Sequence, residues 1–259
     1  MQNSKPITVF AANCRGNSTN CLYPHRIDVA DEASAVEAFS RDIVCAEYKN
    51  NYRSVENFLA SNALPMDCDN DHSNDPALWI TAEDLDGFFP DVTYLIHYSR
   101  HHMKPKGDLS SRPRFHVIFL IDPTSDPDAY VRLKQRVAEI FPFFDPGAMD
   151  AARFLIGTEN PEVEIHHGTI TLNDFLEEYE SEVAFSKMEN TTIPEGSRNS
   201  TMSKVGARII KRYGDTSEAR ELFDQEGSHR IRRGWHLRHP QRHLHKECQH
   251  RCIPERAQR

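Results

Sequence analysis

The sequence predicts a mixed fold of strands and helices, and three observations carry that reading. The runs Ile7–Phe10, Val92–Tyr98 and Arg114–Ile121 are rich in β-branched and aromatic residues, as strands are. Segments of helical period lie between and after them, clearest in Ala129–Ile140, where Val131, Leu133, Val137 and Ile140 supply the apolar positions. No apolar run reaches the ~20 residues that span a bilayer, so these side chains are expected to build an internal core.

Taken in order, Ile7–Phe10 is a strand, followed by a polar segment and a second short strand near Cys21–Ile27. Asp31–Phe39 is a helix with an acidic start, which complements the helix dipole. Ile43–Ala46 is a strand. Tyr48–Arg53 reads as a solvated loop, or as a template-strand contact in which its two rings stack bases and its cations meet phosphate. Ser54–Ser61 looks helical, and an apolar run then forms a short buried strand into Asp67 and Asp69. Thr81 caps a helix reaching Phe89. Gly107–Pro113 is a loop between two strands, and Pro123–Asp128 a turn before the 129–140 helix. Phe141–Gly147 breaks that helix, Arg153–Ile156 and Val163–His167 are strands, and Leu172–Tyr179 is a helix. Residues 186–200 read as a polar linker, 201–225 as a helical pair, and 226–259 as a basic, histidine-rich tail without periodicity, expected to be disordered.

Length and charge narrow the function. A chain of 259 residues holds one large domain, or one domain with a smaller appendage. Its net charge of −8 argues against non-specific coating of nucleic acid but leaves room for a local basic groove. The six cysteines are scattered, so a disulfide framework is not expected, and Cys14 and Cys21 read as structural thiols. The first residues lack the apolar stretch of a signal peptide, which makes a cytoplasmic location the expectation, with no membrane partner.

The chemistry concentrates at three points. Asp67 and Asp69 are two apart on a predicted strand, so both carboxylates would share a face. Side by side they would repel, and a hard divalent cation, magnesium or manganese, would relieve that conflict. The same letters, with Asn70, Asp71, His72 and Ser73, also suit an acidic turn. A basic stretch, Arg100, His101, His102, Lys104, Lys106, Arg112 and Arg114, precedes a strand in which Arg114, His116 and Ile118 share a face. A strand histidine is usually a satisfied core residue; the arginines beside it point to an anion. Asp145, between an aromatic run and Pro-Gly, is the third point, with a turn as its simpler reading.

Together these points resemble the archaeo-eukaryotic primase superfamily, and most closely the primase-polymerases of phages and bacterial mobile elements. The residues that carry the resemblance are Met66-Asp67-Cys68-Asp69, Arg112-Pro-Arg-Phe-His116 and Phe144-Asp145 through Arg153, with Asn70–Ser73 and Arg153–Gly157 as flanking text, over roughly residues 6–225. The resemblance implies an α+β catalytic domain over 1–185, with an RNA-recognition-like sheet and an accessory α/β module, followed by a partial helical segment. It implies nucleotidyl transfer with two divalent ions, Mg2+ or Mn2+, held by Asp67, Asp69 and Asp145. His116 would contact the nucleotide's phosphates, with Arg112, Arg114 and Arg153 adding charge. Single-stranded DNA and nucleoside triphosphates would be the partners, with a separate helicase, since no GxxxxGK[ST] loop occurs. One departure is Arg114, where many relatives have serine; another is the tail, for which a frameshift or truncation would account.

Two other readings use the same residues differently. A rolling-circle nicking endonuclease would need a His-apolar-His metal motif, and His243-Leu-His245 fits its letters within the tail. A non-catalytic nucleic-acid-binding remnant would not need all three acidic points. Zinc binding by His245, Cys248 and Cys252 is a further possibility of the tail composition.

Overall fold

The computed structural model describes residues 6–147, 149–188 and 220. The chain divides into two units, Met1–Tyr179 and Glu180–Arg259. Most of the second lies outside the described residues. So do the expected helical pair, the basic tail with His243, His245, Cys248 and Cys252, and all but the start of the expected linker.

The first unit is α+β. β1 (Ile7–Ala11), β2 (His25–Val29), α1 (Glu32–Phe39) and β3 (Ile43–Val44) come first. β4 (Glu47–Tyr48), β5 (Phe58–Cys68), α2 (Ala82–Phe88), β6 (Tyr94–Tyr98), β7 (Phe115–Thr124) and α3 (Pro127–Ile140) follow. β8 (Phe154–Leu155), β9 (Val163–His166) and α4 (Leu172–Met188) complete the described chain. A four-stranded sheet has the order β2-β1-β3-β8, and a five-stranded sheet the order β4-β5-β7-β6-β9; every pairing within them is antiparallel. In the larger sheet, β5-α2-β6-β7-α3 gives the first five elements of a β-α-β-β-α-β succession, with β7 lying between β5 and β6. β4, which comes before it in the chain, pairs on the other side of β5.

Local chemistry explains several boundaries. Asp31 caps α1 through the Ser34 amide, and Thr81 with Asp84 forms a capping box at α2. Pro127 occupies the first turn of α3, where its missing N–H costs nothing, so the helix begins ahead of the expected Ala129. Two expectations need correction. Ser54–Ser61 is not a helix: a short 3-10 turn, Val55–Asn57, leads into the eleven-residue β5. Pairing with β4 and β7 outweighs local propensity there. The second strand is His25–Val29, placed later than expected because its register is set by β1.

The alternation of β5, β6 and β7 sorts side chains between two cores. Leu64, Met66, Ile96, Phe115, Val117 and Phe119 join Leu85, Phe89, Tyr130, Val137 and Leu176 of the helices. Ala63, Leu95, Ile118 and Leu120 point the other way and meet Ile7, Val9, Phe39 and Ile43. Each large side chain fully buried this way contributes roughly 1.5–3 kcal/mol. Cys14, Cys21, Cys45 and Cys68 are free thiols. No helix among the described residues is long and apolar enough to cross a membrane.

Candidate active site

On its second face the large sheet changes from apolar to polar at one end. Asp67 of β5 pairs in register with His116 of β7, and His116 pairs with His97 of β6. Cross-strand partners share a face, so these three form a row across neighbouring strands. Asp67 is buried. Its Oδ2 accepts from Arg153 Nη2, while Oδ1 lies 3.8 Å from His116 Nε2 and has no hydrogen-bond partner. Burial holds the His116 ring below the ordinary histidine pKa, a pull that the charge of Asp67 opposes.

Asp69 lies beyond the end of β5 rather than on it. The chain turns at Asn70, whose φ of 54° is left-handed, a conformation asparagine tolerates. The Asn70 side chain fixes that turn by donating to the Ile80 and Pro113 carbonyls at 2.8 and 2.9 Å and accepting from the Ile80 amide at 2.8 Å. Asp69 therefore swings toward the basic loop. Lys106 Nζ donates to it at 2.7 Å and Arg114 Nη1 stands 3.5 Å away. Burial pushes the Asp69 carboxyl up, but Lys106 and Arg114 outweigh it and leave its pKa below the usual value. Each acid thus has a cation of its own, Arg153 for Asp67 and Lys106 for Asp69. The mutual repulsion expected from a shared strand face is already compensated.

Arg112 and Arg114 are both wholly buried. Arg112 donates to the Asn70 and Ser73 carbonyls at 2.9 and 3.2 Å and to Asn74 Oδ1 at 2.9 Å, and lies over the Trp79 ring. These bonds shape the 70–79 loop. Arg114 Nη1 is 2.9 Å from Asp71 as an ion pair, and none of its three guanidinium nitrogens has a hydrogen-bond partner.

Asp145 and Arg153 come from the segment after α3. The Asp145 amide donates to the Asp67 carbonyl at 2.8 Å, which brings the third acidic point to the first. Its carboxylate accepts from the Gly147 amide at 2.8 Å. Tyr48 and Arg53, from the segment read above as a solvated loop or a template contact, hold the approach to Arg153. Tyr48 Oη donates to the Ala151 carbonyl at 2.7 Å, and Arg53 Nη1 to that of Ala152 at 2.9 Å.

The donor set suits a hard divalent cation. Asp67 and Asp69 offer carboxylate oxygens, and the orphaned Oδ1 of Asp67 is a buried acceptor that a cation would satisfy. Among the described residues no three acidic, histidine or cysteine side chains converge as a ready-made metal cluster. Beside the row, a cleft of about 550 Å³ is lined by Arg15, Arg100, His102, Lys104 and Thr158.

No family model and no curated protein matches the sequence. Among solved structures, the chain is similar to the AEP domain of the cyanophage S-2L primase-polymerase. The TM-score is 0.35 at 15% identity, over 63% of this chain and 82% of that one.

Two residues of the site were not singled out from the sequence. His97 lay inside a strand read only as β-branched and aromatic, although its two-residue spacing from Leu95 places it on the same face. Lys134 is buried in α3 with Tyr130 and Val137, near Asp67 and Asp150. A lysine at i+4 from Tyr130 and i−3 from Val137 stands on the apolar face of its helix, and that was the available signal.

Proposed function

We propose that this chain is a template-directed nucleotidyltransferase of the primase-polymerase type, working in the replication of a phage or mobile element. The observation that carries this reading is the in-register pair of Asp67 and His116. A buried carboxylate with one unused oxygen sits beside a histidine, with Asp69 and several cations around them. Phosphoryl transfer needs this combination of hard oxygen donors and positive charge more than it needs a nucleophile from the protein.

Asp67 and Asp69, with Asp145, would hold two divalent ions, magnesium or manganese, which supply activation of the attacking hydroxyl and neutralisation of the leaving pyrophosphate. His116 directs Nε2 toward the Asp67 carboxylate and there donates to a phosphate oxygen. Arg153 and Arg114 add positive charge around the polyphosphate. Arg112 acts further back, by fixing the loop that follows Asp69. The cleft carries Arg100 and Lys104 together with Glu159, Glu162 and an Arg15 paired to Glu159, and its two arginines and lysine could meet the backbone of a single-stranded DNA template.

The test is direct. The protein is incubated with single-stranded DNA, labelled nucleoside triphosphates and manganese, and the products are run on a denaturing gel. A ladder of extended or newly initiated strands is expected. Its absence, or a covalent protein–DNA adduct in its place, would overturn the proposal, the adduct in favour of a nicking enzyme.

A further inference from the structure

We propose that His97 is a positioning residue that locks His116 in the tautomer carrying its proton on Nε2, and that Thr158 fixes His97 in turn. The two rings are nearly parallel, with centroids 5.5 Å apart, and their Nδ1 atoms lie 3.3 Å from each other. One of those nitrogens must donate and the other accept. On the far side, His97 Nε2 lies 3.4 Å from Thr158 Oγ1.

Two proton arrangements satisfy these contacts. In the first, Thr158 donates to His97 Nε2, His97 donates from Nδ1 to His116 Nδ1, and His116 keeps its proton on Nε2. In the second every bond is reversed, and His116 turns a bare Nε2 lone pair toward Asp67 Oδ1, 3.8 Å away. A lone pair facing a carboxylate is repelled, whereas an N–H is attracted. The charge of Asp67 favours the first arrangement, and the N–H that His97 then directs at His116 Nδ1 holds it there by keeping a proton off that nitrogen. His97 is wholly buried, and burial, with the charge of His116, keeps its pKa well below the ordinary value. A neutral imidazole has one N–H to give, so the direction chosen at one nitrogen dictates the other.

The fold holds His97 in place for this purpose. Phe39, at the end of α1, stacks on its ring at 4.3 Å, and the Phe39 carbonyl accepts from the Thr158 amide at 2.9 Å. The neighbouring Gly157 makes that approach possible, because a Cβ there would come within 2.2 Å of the Arg41 carbonyl oxygen. Thr158, Phe39 and His97 are thereby fixed to one another behind His116.

The tautomer follows from this geometry alone; its use, an Nε2–H always ready to donate to a nucleotide phosphate, rests on the nucleotidyl-transfer reading. The full-length protein is labelled with 15N-histidine, and the His97 and His116 ring signals are assigned through single substitutions. Nitrogen NMR should find His116 protonated on Nε2 alone and His97 on Nδ1 alone. His97→Asn, whose amide N–H can take over the role of Nδ1, should preserve the His116 tautomer, and His97→Leu should leave a mixture. If the leucine variant does not fold, His97→Phe, which keeps a ring packed against Phe39, should mix the tautomers in its place. A wild-type His116 protonated on Nδ1, or a tautomer unchanged by whichever of His97→Leu and His97→Phe folds, would overturn the inference. Calorimetry with the α,β-methylene analogues of ATP and dATP supplies the second readout. Losing the oriented donor should weaken binding about tenfold in His97→Leu, as for one hydrogen bond, with much less change in His97→Asn. Should the tautomers behave as expected while neither analogue binds the wild type, the positioning stands and the nucleotidyl-transfer reading fails.

Discussion

The amide of Asp145 donates to the carbonyl of Asp67 across 2.8 Å, joining the loop after α3 to the last turn of sheet before the acidic segment. This bond is made by the main chain, so it survives removal of the Asp145 carboxylate. Asp145→Ala should therefore stay folded, losing the local bond to Gly147 at a cost of about 1 kcal/mol. Nucleotide incorporation should fall by about a hundredfold or more, since the carboxylate is proposed to hold a catalytic ion. Thermal melting and single-turnover extension measure the two effects, and retention of full activity would remove Asp145 from the site.

Asp67 and Asp69 should separate in stability but not in activity. Asp67 is buried against Arg153, so Asp67→Ala leaves a partly covered guanidinium without its acceptor, at about 1–3 kcal/mol. Asp69 pairs with the half-exposed Lys106 and, more distantly, with buried Arg114, which keeps Asp71 as its nearer partner, so Asp69→Ala should cost only about 0–1 kcal/mol. The strand reading alone suggested that either change would relieve repulsion and leave the fold as stable or more so. Urea titrations decide between these expectations. Extension assays should show both variants reduced by about a thousandfold or more, while Asp71→Ala, which loses ion pairs to Arg112 and Arg114 but no proposed metal ligand, retains substantially more activity.

Arg112→Ala should act through the fold. It leaves the Asn70 and Ser73 carbonyls without their donor and opens space beside Trp79, at about 2–5 kcal/mol. Arg112→Lys should recover little of this, because a single ammonium cannot reproduce the fork of bonds. Denaturation midpoints check the loss. A variant of unchanged stability that binds nucleotide poorly would instead return Arg112 to the phosphate contacts expected from the sequence.

Lys134 gives a pH-dependent prediction. Burial pushes its ammonium down from 10.5 to about 8, against the pull of Asp67 and Asp150. Between those two values the unfolded chain holds the proton and the folded chain sheds it. Stability from this residue therefore rises with pH across the window, and the full penalty applies below pH 8. That penalty is on the order of 3 kcal/mol. Lys134→Met should be more stable than the wild type at pH 7.5, with the gap narrowing by pH 10. Urea midpoints at the two pH values test this, and a constant gap would refute it.

Much of this fold was legible because its signals are local. The apolar alternation of Val92–Tyr98 and Arg114–Ile121, the cap at Thr81 and the helical period of 129–140 all depend on near neighbours in the chain. Asp67 and His116 could be marked as chemical from their residue types and surroundings. That they stand opposite each other in register was settled only by the pairing of β5 with β7, forty-nine positions apart in the sequence numbering. Pairing of β5 with β4 and β7 likewise made strand of Phe58–Ser61, within a segment that looked helical, because long-range hydrogen bonding outweighs a weak local propensity. Sequence spacing also placed Asp69 on a strand face, whereas the left-handed turn at Asn70 carries it to Lys106. The roles of His97, Thr158, Tyr48 and Arg53 belong wholly to the tertiary structure. Each acts by a contact with a residue distant in the chain, and no period or spacing within its own segment encodes such a contact.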